Sequence, residues 1–268
     1  MYLIFYSLFI VLIYAYDEQL CKHAVNLAQA SYKVSNVNEW YCNTCESSII
    51  LTNVVENKGV RVLQGYDVKL DTLFISYRGS SNIETWINNI QVKKISPYDD
   101  INIEIEKGFY KEYTSIKSDV INNLMQLSQT YNTTKIFLTG HSAGGALATL
   151  TAFDILSTYT NYELKYLITF GSPRVGNRDF SYSFNNYSFI SYRVTHYYDM
   201  VPHLPEEFLG FLHIFNEIWY NENNSEYKIC DDCNKEDNTC SNSCSPIHCT
   251  STSDHLNYLN ITMGYDGN

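Results

Sequence analysis

The residues best suited to chemistry are a serine and the glycines that flank it. Residues 140–144 read Gly-His-Ser-Ala-Gly, after the apolar run 135–139 and before the helical pattern 146–150. This order predicts a strand, a sharp turn and a helix with Ser142 at the bend. Flanking glycines avoid a Cβ collision in such a turn, and the helix N-terminus favours a developing oxyanion. The pattern also occurs around incidental serines, so its context carries the hypothesis of an acyl-transfer nucleophile.

A serine hydroxyl is a weak nucleophile and needs a base within hydrogen-bond reach. In α/β-hydrolases the chain order is serine, acid, histidine. Asp199 directly follows an apolar stretch, and His255 begins a short amphipathic segment near the carboxyl end. Chain order alone leaves other candidates open, namely His203, His213 and His248 as the base and Asp179 as the acid.

The elements that must position these residues alternate between short apolar runs and longer helical patterns. This alternation predicts an α/β fold with a mostly parallel central sheet flanked by helices. The predicted strands are 71–77, 135–139, 164–170, 192–198 and, near a sheet edge, 213–220. The predicted helices are 109–131 and 143–158.

The first 15 residues are almost wholly apolar and end in Ala15. They are fewer than the roughly 20 needed to cross a bilayer, which favours a cleaved signal peptide over residues 1–15. The absence of Lys and Arg from this segment leaves an uncleaved anchor as the alternative. The length then suits one α/β-hydrolase domain over residues 16–268. We expect this domain to be monomeric, without a stable membrane span.

The charge balance is acidic, with 18 basic against 29 acidic residues and a formal net charge of −11. A chain without a basic cluster is a poor ligand for nucleic acid, because phosphate neutralisation requires positive charge. It is also a poor electrostatic partner for anionic membranes. Any attraction to lipid must therefore come from apolar contacts.

The cysteines indicate an oxidising compartment. There are eight of them, and five fall in the polar segment 221–252, which we interpret as a disulfide-stapled loop near the C-terminus. Zinc binding by this cluster and His248 is the alternative. Four Asn-x-Ser/Thr sequons, at Asn132, Asn186, Asn223 and Asn260, also fit a secretory route. We expect a secreted protein or one in a lysosome-like vesicle lumen.

Several separate motifs occur in an order that resembles the fungal-type (class 3) triacylglycerol lipases. The similarity runs from about residue 73 to residue 259. The motifs are Tyr77-Arg78-Gly79-Ser80-Ser81, Lys107-Gly108-Phe109, residues 140–148, Thr169-Phe170-Gly171-Ser172-Pro173-Arg174-Val175-Gly176-Asn177, Asp199-Met200-Val201-Pro202, Glu217-Ile218-Trp219-Tyr220 and Asp254-His255.

The resemblance assigns roles to five residues. It implies that Ser142 is the nucleophile, Asp199 the acid and His255 the base. Ser80 would support the oxyanion through its amide and hydroxyl, and Ala143 through its amide. The family usually has Leu or Met at the last position, but the contribution is a backbone N–H that Ala retains. The resemblance also implies a short Cys42–Cys45 disulfide.

Cys21 differs from the family pattern, because no cysteine follows His255 to pair with it. It must find another partner, and the sequence leaves open which one, with the cysteines at 230–249 as candidates.

The segment after Ser80 predicts a short amphipathic helix. Ser81-x-x-Glu84 has the form of a capping box. The residues Ile83, Trp86, Ile87 and Ile90 fall on one helical face. Such a stripe commonly packs permanently on a core, whereas the resemblance implies a lid over the acyl pocket.

The resulting hypothesis is a serine ester hydrolase that cleaves acylglycerol lipids at an interface and needs no metal or organic cofactor. A phospholipase, a mono- or diacylglycerol lipase, or a feruloyl-type esterase would use the same machinery. Rival classes are a non-catalytic secreted lipid or glycan binder and a serine peptidase.

Overall fold

A computed structural model describes residues 16–90, 92–232, 235–244 and 248–264. The predicted signal peptide at residues 1–15 and Cys233 lie outside the described residues.

An eight-stranded sheet organises the fold, in the order β1-β2-β3-β6-β7-β8-β9-β10. Neighbours from β3 to β9 pair in parallel, whereas β1, β2 and β10 join through antiparallel pairs. Two small antiparallel pairs, β4 with β5 and β11 with β12, lie outside it. The strands are β1 (Ile49–Asn57), β2 (Val60–Asp67), β3 (Thr72–Tyr77), β4 (Lys94–Ile95), β5 (Ile105–Glu106), β6 (Lys135–His141), β7 (Glu163–Phe170), β8 (Ile190–His196), β9 (Glu217–Tyr220), β10 (Tyr227–Ile229), β11 (Asn257–Tyr258) and β12 (Ile261–Thr262).

Seven α-helices accompany the strands within the described ranges. They are α1 (Glu18–Lys33), α2 (Ile83–Asn89), α3 (Lys107–Thr114), α4 (Lys117–Tyr131), α5 (Ala143–Ser157), α6 (Arg178–Ser183) and α7 (Thr252–His255).

Helices cover both faces of the sheet. Leu73 and Ile75 of β3 pack with residues of α3, α4 and α5, whereas Phe74 points to the other face and packs with α1. This alternation follows from the two-residue period of a strand. Because both faces are buried, the central strands are apolar throughout, and the fold is the predicted mostly parallel sheet between helices.

The strand predictions are confirmed within two to four residues, but the single helix predicted over 109–131 is wrong. The chain forms α3 and α4 with a break at Ser115 and Ile116. The Ser115 carbonyl accepts a hydrogen bond from the Asn57 side-chain amide at 2.8 Å, and the Ser115 hydroxyl donates to the Glu112 carbonyl at 2.7 Å. These hydrogen bonds compete with the backbone hydrogen bonds of a continuous helix. The first helix therefore ends here, and α4 begins after the buried Ile116.

Disulfides staple the polar segment after β9, as predicted. Cys230 pairs with Cys240, and Cys244 pairs with Cys249. These bonds use the sulfur atoms that the zinc alternative would need. Cys42 pairs with Cys45, as the resemblance implied.

Cys21 has no disulfide partner among the described cysteines. It is a fully buried free thiol. Burial raises its pKa to about 12, so it is packed as a small protonated side chain.

The surface bears on two further expectations. Within the described ranges no helix has the length and apolar character required to cross a bilayer. The asparagines of the four sequons, Asn132, Asn186, Asn223 and Asn260, are all exposed.

Candidate active site

Ser142 lies in a strained turn between β6 and α5. Its φ of 58° and ψ of −134° are a conformation that L-residues rarely adopt. A Cβ on Gly140 would lie 2.4 Å from the Gly144 carbonyl oxygen, and one on Gly144 would lie 2.4 Å from the Tyr77 carbonyl oxygen. Only glycine fits at both positions, so the motif forms the predicted strand–turn–helix elbow.

Asp199 follows β8, as predicted, and its carboxylate accepts hydrogen bonds from three groups. His255 Nδ1 lies 3.0 Å from Oδ1 and 2.8 Å from Oδ2, the Val201 amide donates to Oδ1 at 2.8 Å, and the Tyr258 hydroxyl donates to Oδ2. Burial, and then the Asp199 charge, raise the pKa of Tyr258 well above its ordinary value. The phenol therefore stays protonated and can act as a donor.

His255 is fully buried at the end of α7. Because a carboxylate only accepts, Nδ1 carries the proton that faces Asp199, and Nε2 of the neutral ring is a base. His255 Nε2 and Ser142 Oγ are both buried, and neither has a hydrogen-bond partner among the described residues. Both residues line one pocket of about 160 Å³. The structure thus brings the three predicted residues together, with the serine and the histidine not yet hydrogen-bonded to each other.

His141 supports the base from behind the elbow. Its Nε2 donates to the His255 carbonyl at 2.8 Å, so its Nδ1 is free to accept from the Tyr32 hydroxyl at 2.7 Å. Burial, and then the proximity of His255, lower the pKa of His141 well below its ordinary range. A neutral His141 therefore links α1 to the segment that carries His255.

The two predicted oxyanion donors are both neighbours of Ser142, Ala143 in the chain and Ser80 in the pocket. Ala143 is the first residue of α5, where backbone N–H groups point out of the helix. Ser80 lines the same pocket as Ser142. Its hydroxyl donates to the Asn82 carbonyl at 3.0 Å and accepts from the Asn82 amide at 3.2 Å. In this structure the Ser80 hydroxyl is occupied by the start of α2.

Helix α2 lies over the pocket, although its cap differs from the prediction. Asn82, not Ser81, is the N-cap residue, and its side chain accepts from the Thr85 amide at 2.9 Å. The predicted apolar face is only half-buried. Ile83 lines the pocket with Ser142, whereas Trp86 stacks on Phe109 with ring centroids 5.9 Å apart.

A second pocket of about 370 Å³ lies beside Trp86, Ile90 and Phe109. Helix α2 therefore contributes side chains to the lining of two pockets.

The alternative bases and acid are engaged elsewhere. His203 Nε2 lies 3.9 Å from the Cys244 sulfur of a disulfide, and His213 Nε2 donates to the Pro202 carbonyl at 2.6 Å. His248 and Asp179 are exposed. None of these side chains lines the pocket of Ser142.

Comparison with known proteins decides the family. Residues 74–209, half of the chain, match the model of the class 3 lipases, described as Lipase (class 3). The chain belongs to the class 3 lipase family.

Individual class 3 lipases agree with this assignment. The chain is 33% identical over 238 residues to the lipase of Rhizomucor miehei, covering 84% of this chain and 63% of that protein. It is 31% identical over 195 residues to secreted mono- and diacylglycerol lipase 1 of Fusarium solani, covering 69% of this chain and 57% of that protein. The chain thus spans less than two thirds of these relatives.

The structure of lipase II from Rhizopus niveus superposes with a TM-score of 0.84 at 28% identity, covering 92% of this chain and 95% of that one. The fold of this class 3 lipase is accordingly an α/β-hydrolase fold.

Sequence reasoning missed three residues around the base. Tyr258 follows His255 by three residues, and that spacing was the only available signal for its contact with Asp199. His141 lies inside the serine motif, but nothing in the motif indicates its contact with the His255 carbonyl. Tyr32 belongs to α1, which periodicity did not single out.

Proposed function

We propose that this protein is a secreted serine ester hydrolase that cleaves acylglycerol lipids through Ser142, His255 and Asp199. The observation that carries the proposal is the buried Asp199–His255 pair, whose free Nε2 shares a pocket with an elbow serine. The names of its relatives, a lipase and a mono- and diacylglycerol lipase, support acylglycerol as the substrate class.

The reaction follows from the protonation states. His255 Nε2 removes the Ser142 proton as Oγ attacks the ester carbonyl, and then returns it to the departing alcohol. Asp199 keeps the Nδ1–H tautomer and stabilises the imidazolium that forms. Water then attacks the acyl-enzyme by the same route, which releases the fatty acid and restores Ser142.

The oxyanion donors would be the Ala143 amide together with Ser80. The Ser80 hydroxyl is bonded to Asn82 at the start of α2, so its use as a donor requires that this turn rearrange. One such donor is typically worth about 3 kcal/mol of transition-state stabilisation. Movement of α2 would thereby complete the site as well as uncover it.

We propose that α2 is the lid. In the closed state Ser142 is only 1% exposed, so a substrate cannot reach it without such a movement. Opening would expose Ile83, Trp86 and Ile87, which a lipid interface stabilises at about 25 cal/mol per Å² of apolar area.

Three features support passage through a secretory route. The disulfides require an oxidising compartment, the relative from Fusarium solani is named a secreted mono- and diacylglycerol lipase, and all four sequon asparagines are exposed. We further propose that residues 16–268 act as one lipase domain, because α1 and the segment around Tyr258 both pack on the central sheet.

The test is a panel of p-nitrophenyl esters from acetate to palmitate, run beside emulsions of triglyceride, diglyceride and phospholipid. We expect turnover of soluble esters and preference for acylglycerol emulsions, with both abolished in Ser142→Ala. A matched control is Ser243→Ala, a serine outside the pocket of Ser142. Full activity in Ser142→Ala would overturn the proposal, and preference for phospholipid would move it to a phospholipase.

A further inference from the structure

One aromatic side chain outside α2 stands almost free of the protein. Phe208 is 83% exposed, the highest value for a large hydrophobic side chain in the described residues. It lies in the 3₁₀ turn Glu207–Leu209, and Gly210 ends this turn in a left-handed conformation. We name residues 206–210 the Phe208 knuckle.

The knuckle is held rigidly at both ends. The Leu209 and Gly210 amides bond the carbonyls of Glu206 and Glu207 at 3.1 and 2.8 Å. Before the turn, Arg174 donates to the Pro205 carbonyl at 2.9 Å. The Arg174 guanidinium is itself fixed by a buried pair with Glu236. The exposure of Phe208 is therefore built into the fold.

The knuckle contacts the segment that follows α2 in the chain. The Lys94 ammonium donates to the Leu209 carbonyl at 3.0 Å, and Lys94 begins β4, the strand that follows α2. Val92, two residues before Lys94, is itself 52% exposed. The Lys94–Leu209 hydrogen bond therefore ties the knuckle to the exposed segment that follows α2.

Charge indicates what this surface can meet. Glu206 and Glu207 directly precede Phe208, and the protein carries a net charge of −11. Acidic flanks repel anionic phospholipids and other anionic partners. The pocket of about 470 Å³ beside Phe208 is otherwise lined by polar and charged residues such as Glu206, Glu207 and Asn238, so it offers no apolar groove for a partner. A protruding ring in such a setting suits insertion into a fluid layer more than docking on a shaped protein surface.

We propose that the Phe208 knuckle is an anchor for uncharged or zwitterionic lipid surfaces that works while α2 is still closed. The proposal rests on the proposed function, because it places the enzyme at the lipid from which its substrate comes. The anchor binds first and holds α2 at the interface, where opening is favoured.

The experiment measures co-sedimentation with vesicles of dialkyl-ether phosphatidylcholine, which contains no ester to hydrolyse. We expect Phe208→Ser to partition about tenfold more weakly than the unmutated protein, and Phe208→Trp to partition at least as strongly. The matched control is Tyr41→Ser, since Tyr41 is 78% exposed on the loop after α1. Adding an anionic ether lipid should weaken binding.

Equal partitioning of Phe208→Ser and the unmutated protein, an equal loss in Tyr41→Ser, or stronger binding to anionic vesicles would each overturn the anchor. Hydrolysis of a soluble short ester checks the fold and should be unchanged in Phe208→Ser. Failure of the proposed function is separate, because it would show as absent ester hydrolysis in the unmutated protein whatever the vesicle result.

Discussion

The two halves of the candidate site differ in how complete they are. In the acid–base half, Asp199 accepts from three groups and His255 is held at its ring and at its backbone carbonyl. In the nucleophile half, Ser142 Oγ has no partner among the described residues, and the Ser80 hydroxyl is bonded to Asn82. The base is preorganised, whereas the Ser80 hydroxyl can act as an oxyanion donor only if the start of α2 rearranges. This difference is the basis for the proposal that α2 controls activity.

The largest expected effect comes from breaking the acid–base half at Asp199. Asp199→Asn replaces an acceptor with an amide that favours the wrong His255 tautomer, so kcat should fall about 10⁴-fold. Steady-state kinetics with a soluble ester measure this fall in kcat. The matched control is Asp179→Asn, an exposed carboxylate outside the pocket, which should keep full activity. A loss below tenfold in Asp199→Asn would mean that another group orients the base.

A second effect concerns stability, because the loop after Asp199 carries a buried histidine. Burial, and then the Arg174 charge, lower the pKa of His203 to about 4. An unfolded chain takes up this proton near pH 6.5, so between those values the unfolded state binds more protons and stability falls as pH falls. Between about pH 7 and about pH 4.5, the low pKa of His203 should reduce the free energy of unfolding by about 2.5 kcal/mol.

Urea unfolding at the two pH values measures the His203 effect. His203→Gln should lose less stability on acidification than the unmutated protein. His248→Gln, which changes an exposed histidine, should retain the full loss. An equal loss of stability on acidification in His203→Gln and in the unmutated protein would show that His203 is not the source of the acid sensitivity.

A smaller effect should come from Tyr258→Phe, which keeps the ring and removes one donor to Asp199. The two remaining donors still hold the carboxylate, so we expect about tenfold lower kcat on soluble esters. The control is Tyr227→Phe, an exposed tyrosine on β10. An unchanged kcat in Tyr258→Phe would show that the acid–base half is held without its third donor.

The smallest expected effect concerns the nucleophile half of the site. Trp86→Ser removes the ring that stacks on Phe109 and that a lipid interface would receive when α2 opens. Activity on emulsified lipid should fall about fivefold, and activity on a soluble short ester should fall less. Asn88→Ser, on the exposed side of α2, should change neither. Equal losses on both substrates would count against a lid.

Local patterns predicted the framework of this site, and long-range contacts were beyond them. The glycines around Ser142 have a steric reason that the sequence states directly, so the elbow and its flanking elements were predictable. The break at Ser115 depends on the Asn57 side chain, 58 residues away, which periodicity cannot show. The contact of His141 with the His255 carbonyl spans 114 residues for the same reason.

The pairing of the cysteines also depends on packing that the sequence does not show. Even cysteine counts predicted disulfides, but whether Cys21 finds a partner depends on where α1 packs. It lies buried in that helix as a free thiol. Ser142, Asp199 and His255 could be proposed as site residues because a family resemblance selected among histidines that chain order alone left open.

The most direct measurement is covalent labelling with a p-nitrophenyl alkylphosphonate, followed by peptide mass spectrometry. The account predicts one adduct, on Ser142, formed rapidly in the unmutated protein and in Asp179→Asn. It predicts almost no adduct in His255→Ala, because the serine then has no base. Labelling of a different residue, or equally fast labelling of Ser142 in His255→Ala, would contradict it.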